Sequence, residues 1–263
     1  MSKSPTVAEN EERALATSLA YRFLSAAYRY PDEANLEAIR ALHRGVAEAL
    51  PLLVARKEKE HGGILAEPFA EVTRLLEEWT REEMEDQYVS LFGHAVHGPC
   101  PPYEAEYGEK GEGLQHPHEI ADIVAFYRAF ELDLAQGIGE RPDCVSLECE
   151  FLAFLCLKLA HARSVGDGEL ARISFEARGK FLREHLGRWM PTFAGLLLKE
   201  AEQGFYPAVT RWAGAVLSAD AARLGVPLGP EKLRLRLPSE AAPEDCTTCG
   251  MSEPCAIGFE ERA

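Results

Sequence analysis

Apolar residues recur at three- and four-residue spacing along almost the whole chain, and that period belongs to helices. Leu15, Leu19 and Phe23, with Tyr21, Leu24 and Tyr28 beside them, mark one helix face. Pro31, Asp32 and Glu33 close that helix and open the next, since proline and acids favour a helix's first turn. Residues 56–63 are charged and end in Gly62-Gly63, a loop by composition. The spacing resumes from Glu67 to Phe92, with Leu75, Leu76, Trp79, Met84, Tyr88, Leu91 and Phe92 as inward candidates and an acidic outer face. Ile120, Ile123, Val124, Tyr127 and Leu134 form another face. Val145 to Ala160 is apolar nearly all round, which predicts a central, buried helix. Two or three more helices follow to about Leu224. No alternating run is long enough for a sheet; Leu233, Leu235 and Leu237 alternate with charges only briefly. The chain therefore reads as all-α: a single helical-bundle domain over residues 8–226, with an irregular central loop and a Cys-containing tail over 227–263.

The loop is the main break in the pattern. Between Gly93 and Pro117 lie Gly98, Pro99, Pro101, Pro102, Gly108, Gly111 and Gly113, which exclude a long regular element. An irregular segment of roughly 25 residues inside a helical domain is uncommon and tends to be functional. His94, His97, Cys100, His116 and His118 cluster here. Imidazole and thiolate suit zinc, although solvated loop histidines give the same pattern.

Charge narrows the partners. Of 263 residues, 28 are Lys or Arg and 43 are Asp or Glu, a net −15. That field repels phosphate backbones, so no nucleic acid is expected. The uncharged run Trp189–Leu198, closed by Arg188 and Lys199, is far shorter than the roughly 20 residues of a membrane span. The first thirty residues carry charges throughout and show no signal-peptide core. Seven cysteines, an odd number, fit thiols in a reducing compartment. The expected location is the cytoplasm.

Three of those cysteines form the only tight cluster, Cys246-Thr-Thr-Cys249 and Cys255, a C-x2-C-x5-C pattern in the tail. Thiolates at this spacing can chelate zinc or an iron–sulfur cluster, but such sites usually take four ligands. A redox-active pair and free thiols remain open beside metal binding. Glu148, inside the most apolar helix, needs a partner once buried. A structural salt bridge to an arginine would supply one; a ligand-binding role is the alternative. Dinucleotide, phosphate-loop, zinc-protease and nucleophile-elbow motifs are all missing, so no enzyme is expected.

Three blocks, in order, resemble the TorD/DmsD/NarJ family of cytoplasmic chaperones for molybdenum-cofactor enzymes. The first is Glu85-Asp86-Gln87-Tyr88-Val89-Ser90-Leu91-Phe92, similar to the family's acidic-x-Tyr-x-x-Leu-Phe helix end. The second is Pro101-Pro102-Tyr103-Glu104-Ala105-Glu106-Tyr107, which resembles its Pro-Tyr-Glu-Ser-x-Tyr segment, with Ala105 in place of a common Ser. The third runs from Arg141-Pro142-Asp143-Cys144 to Glu148 and Phe151 and resembles its Pro-Asp-His-x-x-x-Glu helix start, with Cys144 where the family usually has His. The resemblance implies an all-helical maturation chaperone, monomer or homodimer, that needs no cofactor. Its implied partner is the leader or N-terminal region of an apo catalytic subunit of a molybdenum or tungsten oxidoreductase, held for cofactor insertion, assembly or export. An arginine-bearing leader favours acids at a rim and aromatics on a floor. Tyr103, Glu104, Tyr107, Asp122, Asp143 and Glu148 are the expected peptide-binding residues, with Tyr103 and Tyr107 on one face if their segment turns helical. The alternative is a metal or iron–sulfur carrier acting through Cys246, Cys249 and Cys255.

Overall fold

Nine α-helices and a two-stranded antiparallel ribbon make up the described part of the computed structural model, residues 10–53, 63–93, 98–109, 116–134, 140–229 and 233–236. The helices are α1 (Glu11–Ala27), α2 (Glu33–Leu53), α3 (Gly63–Glu78), α4 (Arg81–Phe92), α5 (His116–Ala129), α6 (Val145–Ser164), α7 (Gly168–Glu184), α8 (Leu186–Glu200) and α9 (Phe205–Leu224). The strands are β1 (Tyr107–Gly108) and β2 (Arg234–Leu235). The all-α architecture expected from periodicity is the one observed. No helix among the described residues is long and apolar enough to cross a membrane.

Local chemistry sets the helix ends. Asn10 and Asp167 cap α1 and α7 by accepting from the amides of Arg13 and Leu170. Thr80 and Glu83 form a reciprocal capping box that starts α4. The expected continuous helical stretch from Glu67 to Phe92 is therefore two helices, because Thr80 satisfies the amides of a new first turn. Gln87 of α4 accepts from the Tyr206 amide at 3.1 Å and so caps α9 from another helix.

Burial then orders the layers. Helix α6 sits between α1 and α7, α1 also packs on α2, and α3 pairs with α9. Thirteen of the twenty α6 residues are buried, including Leu152, Leu155 and Cys156, which makes it central. One outer strip stays open, however, with Leu157 48% exposed and Glu150 on the same face. Phe23, Phe69 and Trp212 join α1, α3 and α9 through ring contacts of 5.2–6.5 Å. Arg178 and Asp220, both fully buried, pair at 2.9 Å between α7 and α9.

The expected tail boundary at residue 227 falls in chain that packs on the helices. The Gly229 amide donates to the Gly187 carbonyl at 2.7 Å, and Leu233 is a core residue. Alternation explains this: Leu233 turns inward, while Arg234 and Leu235 pair with Gly108 and Tyr107. Cys246, Cys249 and Cys255 lie outside the described residues, as do His94 and His97.

Candidate functional site

The irregular segment is anchored on the start of α6. Tyr103 and Cys144 form an antiparallel bridge; the Glu104 amide donates to the Asp143 carbonyl, and the Val145 amide to that of Pro102, both at 2.9 Å. The Asp143 carboxylate, fully buried, accepts from the Ala105 amide at 3.1 Å. It also receives a two-pronged contact from Arg141, Nε to Oδ1 at 2.9 Å and Nη2 to Oδ2 at 2.7 Å. Arg141 continues to Glu106 at 2.8 Å and lies over the Tyr103 ring at 4.4 Å. Burial opposes the Arg141 charge, but Asp143 and Glu106 hold its pKa above the usual guanidinium value. The bidentate geometry makes this the strong form of a charged hydrogen bond.

Helix α8 closes the site from the other side. His185 Nδ1 lies 3.0 Å from the buried Glu104 carboxylate, and Arg188 reaches the same group at 3.5 Å. Burial raises the Glu104 pKa, and the contacts with His185 and Arg188 offset only part of that. The other His185 nitrogen faces Asp122 of α5 at 3.5 Å, too poorly aligned to be a hydrogen bond. Trp189 Nε1 donates to both oxygens of Glu148 at 3.2 Å. Glu148 thus has an indole for its partner where a salt bridge to arginine was expected. Burial pushes its pKa well up, the nearby Glu104 charge adds to that, and the indole only partly opposes it. Tyr107 stacks on Trp189 with centroids 5.3 Å apart and donates to the Pro101 carbonyl.

The chain's far end completes the cluster. Arg236 donates to the Ala105 carbonyl at 2.7 Å and grips Glu119 of α5 through both terminal nitrogens, at 2.8 and 2.9 Å.

The six expected site residues are therefore brought into one region, but with different access. Glu104, Tyr107, Asp143 and Glu148 are buried, Tyr103 is half-buried, and Asp122 is 62% exposed at its side chain. Residues 104–106 form a single turn of 3-10 helix, and Tyr103 and Tyr107 flank it in extended conformations. They do not share a helix face: Tyr103 meets Arg141, whereas Tyr107 meets Trp189. Cys144, in the position of the family's His, is buried with its thiol raised to about 12 by burial, so it stays protonated. Among the described residues no group of three His, Cys, Asp or Glu side chains is placed to hold a metal ion. Cys100 is buried.

Sequence reasoning missed His185, Arg188, Trp189, Glu119 and Arg236. No local motif marks them, because their partners lie about 40–130 residues away. The one available signal was Trp189 beside Arg188 at the start of a short apolar run, read only as too short for a membrane.

Residues 63–195 match the family described as nitrate reductase delta subunit. A selenate reductase assembly chaperone protein from Thauera selenatis is 32% identical over 146 residues, 56% of this chain and 72% of its own length. A chlorate reductase assembly chaperone protein from Ideonella dechloratans is 31% identical, covering 55% and 72%. The chaperone protein TorD of Vibrio cholerae is 23% identical, covering 52% and 60%. All three relatives are named as chaperones, not catalysts. The matched stretch carries the loop, the start of α6 and the His185–Trp189 wall together, and the chain belongs to this nitrate reductase delta subunit family, the TorD/NarJ group of redox enzyme maturation proteins.

Proposed function

We propose that the protein is a cytoplasmic assembly chaperone that binds the leader or N-terminal region of the apo catalytic subunit of a molybdenum- or tungsten-cofactor oxidoreductase. It holds that subunit until the cofactor is inserted and the enzyme is assembled or exported. The observation that carries this reading is the match over residues 63–195, which contains every residue of the clamp except Arg236. Relatives matched over 146 and 145 residues are named as assembly chaperones of selenate and chlorate reductases.

The geometry suggests how an arginine-bearing leader is received. Tyr103 and Asp122 are reachable from solvent, and Arg141 is 30% exposed at its side chain while it occupies Asp143 and Glu106. A leader guanidinium takes the same two carboxylates by replacing Arg141, an exchange of like for like. Glu104, Tyr107 and Glu148 stay buried and hold the loop in register beneath it.

Calorimetric titration with synthetic leaders from the molybdenum-reductase subunits of the same genome tests this. One leader is expected to bind, and Asp122→Asn and Tyr103→Ala are expected to weaken it about tenfold with unchanged melting temperature. Unchanged affinity in both variants removes those residues from the site. Absence of binding to every leader by the folded wild type overturns the leader reading.

A further inference from the structure

Strand β2 differs in charge from the chain that follows it. Residues 232–237 read Lys-Leu-Arg-Leu-Arg-Leu, an alternation of cations and apolar side chains. From 237 to 263 the sequence holds six acids and a single arginine, Arg262. A basic, apolar stretch of this kind in a protein of net charge −15 is placed by the fold directly on the candidate site. Its backbone lies along β1, with Leu235 opposite Tyr107 and Arg234 opposite Gly108. Leu233 is buried and Arg234 is exposed.

Arg236 completes the attachment. Its amide donates to the Glu106 carbonyl at 2.7 Å, and its guanidinium spans Glu119 and the Ala105 carbonyl. Each of these partners belongs to the site. The Ala105 amide is held by Asp143, the Glu106 carboxylate by Arg141, and Glu119 lies one turn before Asp122 on α5. The chain's own basic segment therefore makes both kinds of contact by which an extended peptide is bound, backbone pairing to a strand edge and a cation on a carboxylate.

The attachment is built to come off. A two-stranded ribbon is marginal by itself in water, and this one is two residues long. The Arg236 and Glu119 side chains keep 11% and 18% of their exposure, so solvent reaches the pair. Glu119 also has a second cation 3.8 Å away, Arg188 of α8, and so is not left without a counter-charge when Arg236 withdraws.

We infer that strand β2 is an autoinhibitory occupant of the site: the chain's own basic segment sits on β1 and Glu119, and a client segment must displace it to bind there. The inference rests on the leader reading and adds regulation to it. An occupant of this kind lowers the apparent affinity for a client in proportion to the fraction of time the edge is free. Weakening the strand therefore tightens client binding. A strand that only braced the loop has the opposite sign, because a loosened loop binds less well.

The probe is a labelled peptide copying residues 231–238, with a twin carrying glutamate in place of its two arginines, titrated into the full chain by fluorescence anisotropy. Arg236→Gln removes the guanidinium and is expected to tighten probe binding about fivefold over wild type. Arg236→Pro also removes the amide that donates to Glu106, and is expected to tighten it further. Adding Glu119→Gln to Arg236→Gln is expected to cancel the gain, and the twin is expected not to bind. Circular dichroism of each variant should keep the wild-type helical signal. Affinity that stays level or falls from wild type through Arg236→Gln to Arg236→Pro overturns the proposal, as does equal binding of the twin. The leader found by calorimetry is then added as competitor. A leader that binds wild type without displacing the probe overturns the autoinhibition and leaves the chaperone reading standing. A probe that behaves as expected while no leader binds wild type or either Arg236 variant leaves the strand displaceable and overturns the leader reading.

Discussion

In the centre of the bundle, between α7 and α9, the buried Arg178 guanidinium meets the buried Asp220 carboxylate at 2.9 Å. Tyr21 of α1 donates to the same carboxylate at 2.9 Å, and Arg223 lies 3.6 Å from it. Between the loop, α6 and α8, by contrast, Glu104 shares its buried site with Glu148, and among the described residues Glu148 has only the Trp189 indole as donor. The buried carboxylate is fully paired with cations in the first cluster, and acid is in excess in the second. A matched, fully enclosed pair locks helices in one arrangement. A surplus of buried carboxylate instead favours uptake of a proton, which removes the charge that burial opposes.

The comparison breaks most visibly at the balanced pair. Asp220→Ala removes the carboxylate that Arg178, Arg223 and Tyr21 share, and breaking a buried ion pair costs about 3–5 kcal/mol. The urea midpoint should fall accordingly, and a midpoint within experimental error of wild type would show that Arg178 does not depend on Asp220. At the acid-rich site the expected effect is smaller, because Glu148 escapes the loss of its donor by staying protonated. Trp189→Phe keeps an aromatic ring on Tyr107 but removes the indole N–H, for a cost of about 2 kcal/mol. A loss as large as that of Asp220→Ala would contradict the contrast.

Protonation sharpens it further. The Glu148 pKa is raised in the folded state, so the folded protein holds a proton that the unfolded chain has released. Stability therefore falls as pH rises from the ordinary carboxylate value of 4.5 through the raised folded pKa. One proton limits the slope to about 1.4 kcal/mol per pH unit. Glu104, raised in the same direction, adds to the trend. Urea denaturation of Glu148→Gln across this window should show a flatter profile than wild type. An identical profile would mean that Glu148 is ionised in both states.

How much of this could be read beforehand differs between the two clusters. The apolar run of α6 exposed the central helix directly, and Asp143, Tyr103 and Glu104 stood out because their blocks resemble those of a known chaperone family. Their neighbourhood was legible; their burial was not. Whether a carboxylate lies at a rim or beneath it depends on what covers it, and here the cover is α8 with His185, Arg188 and Trp189. Arg178 and Asp220 gave no signal at all, since a charged residue among helical positions reads as a solvated face until the opposite helix is known. The Leu233–Leu235 alternation was too short to count as a strand, and the partner that makes it one, β1, lies far away in the chain.

That short pairing gives the smallest predicted effect and the most local one. An added Cβ at Gly108 would lie 2.1 Å from Arg236 Nε, so the close approach of strand to guanidinium requires glycine. Gly108→Ala must push Arg236 off the Ala105 carbonyl and off Glu119. Arg236→Gln removes the same contacts by truncation, and each change should cost about 1 kcal/mol. Because both act through one guanidinium, the double variant should be hardly less stable than either single one, well short of their sum. Full additivity would show that Gly108 serves the strand by itself, and that residues 233–236 hold to the loop without the arginine.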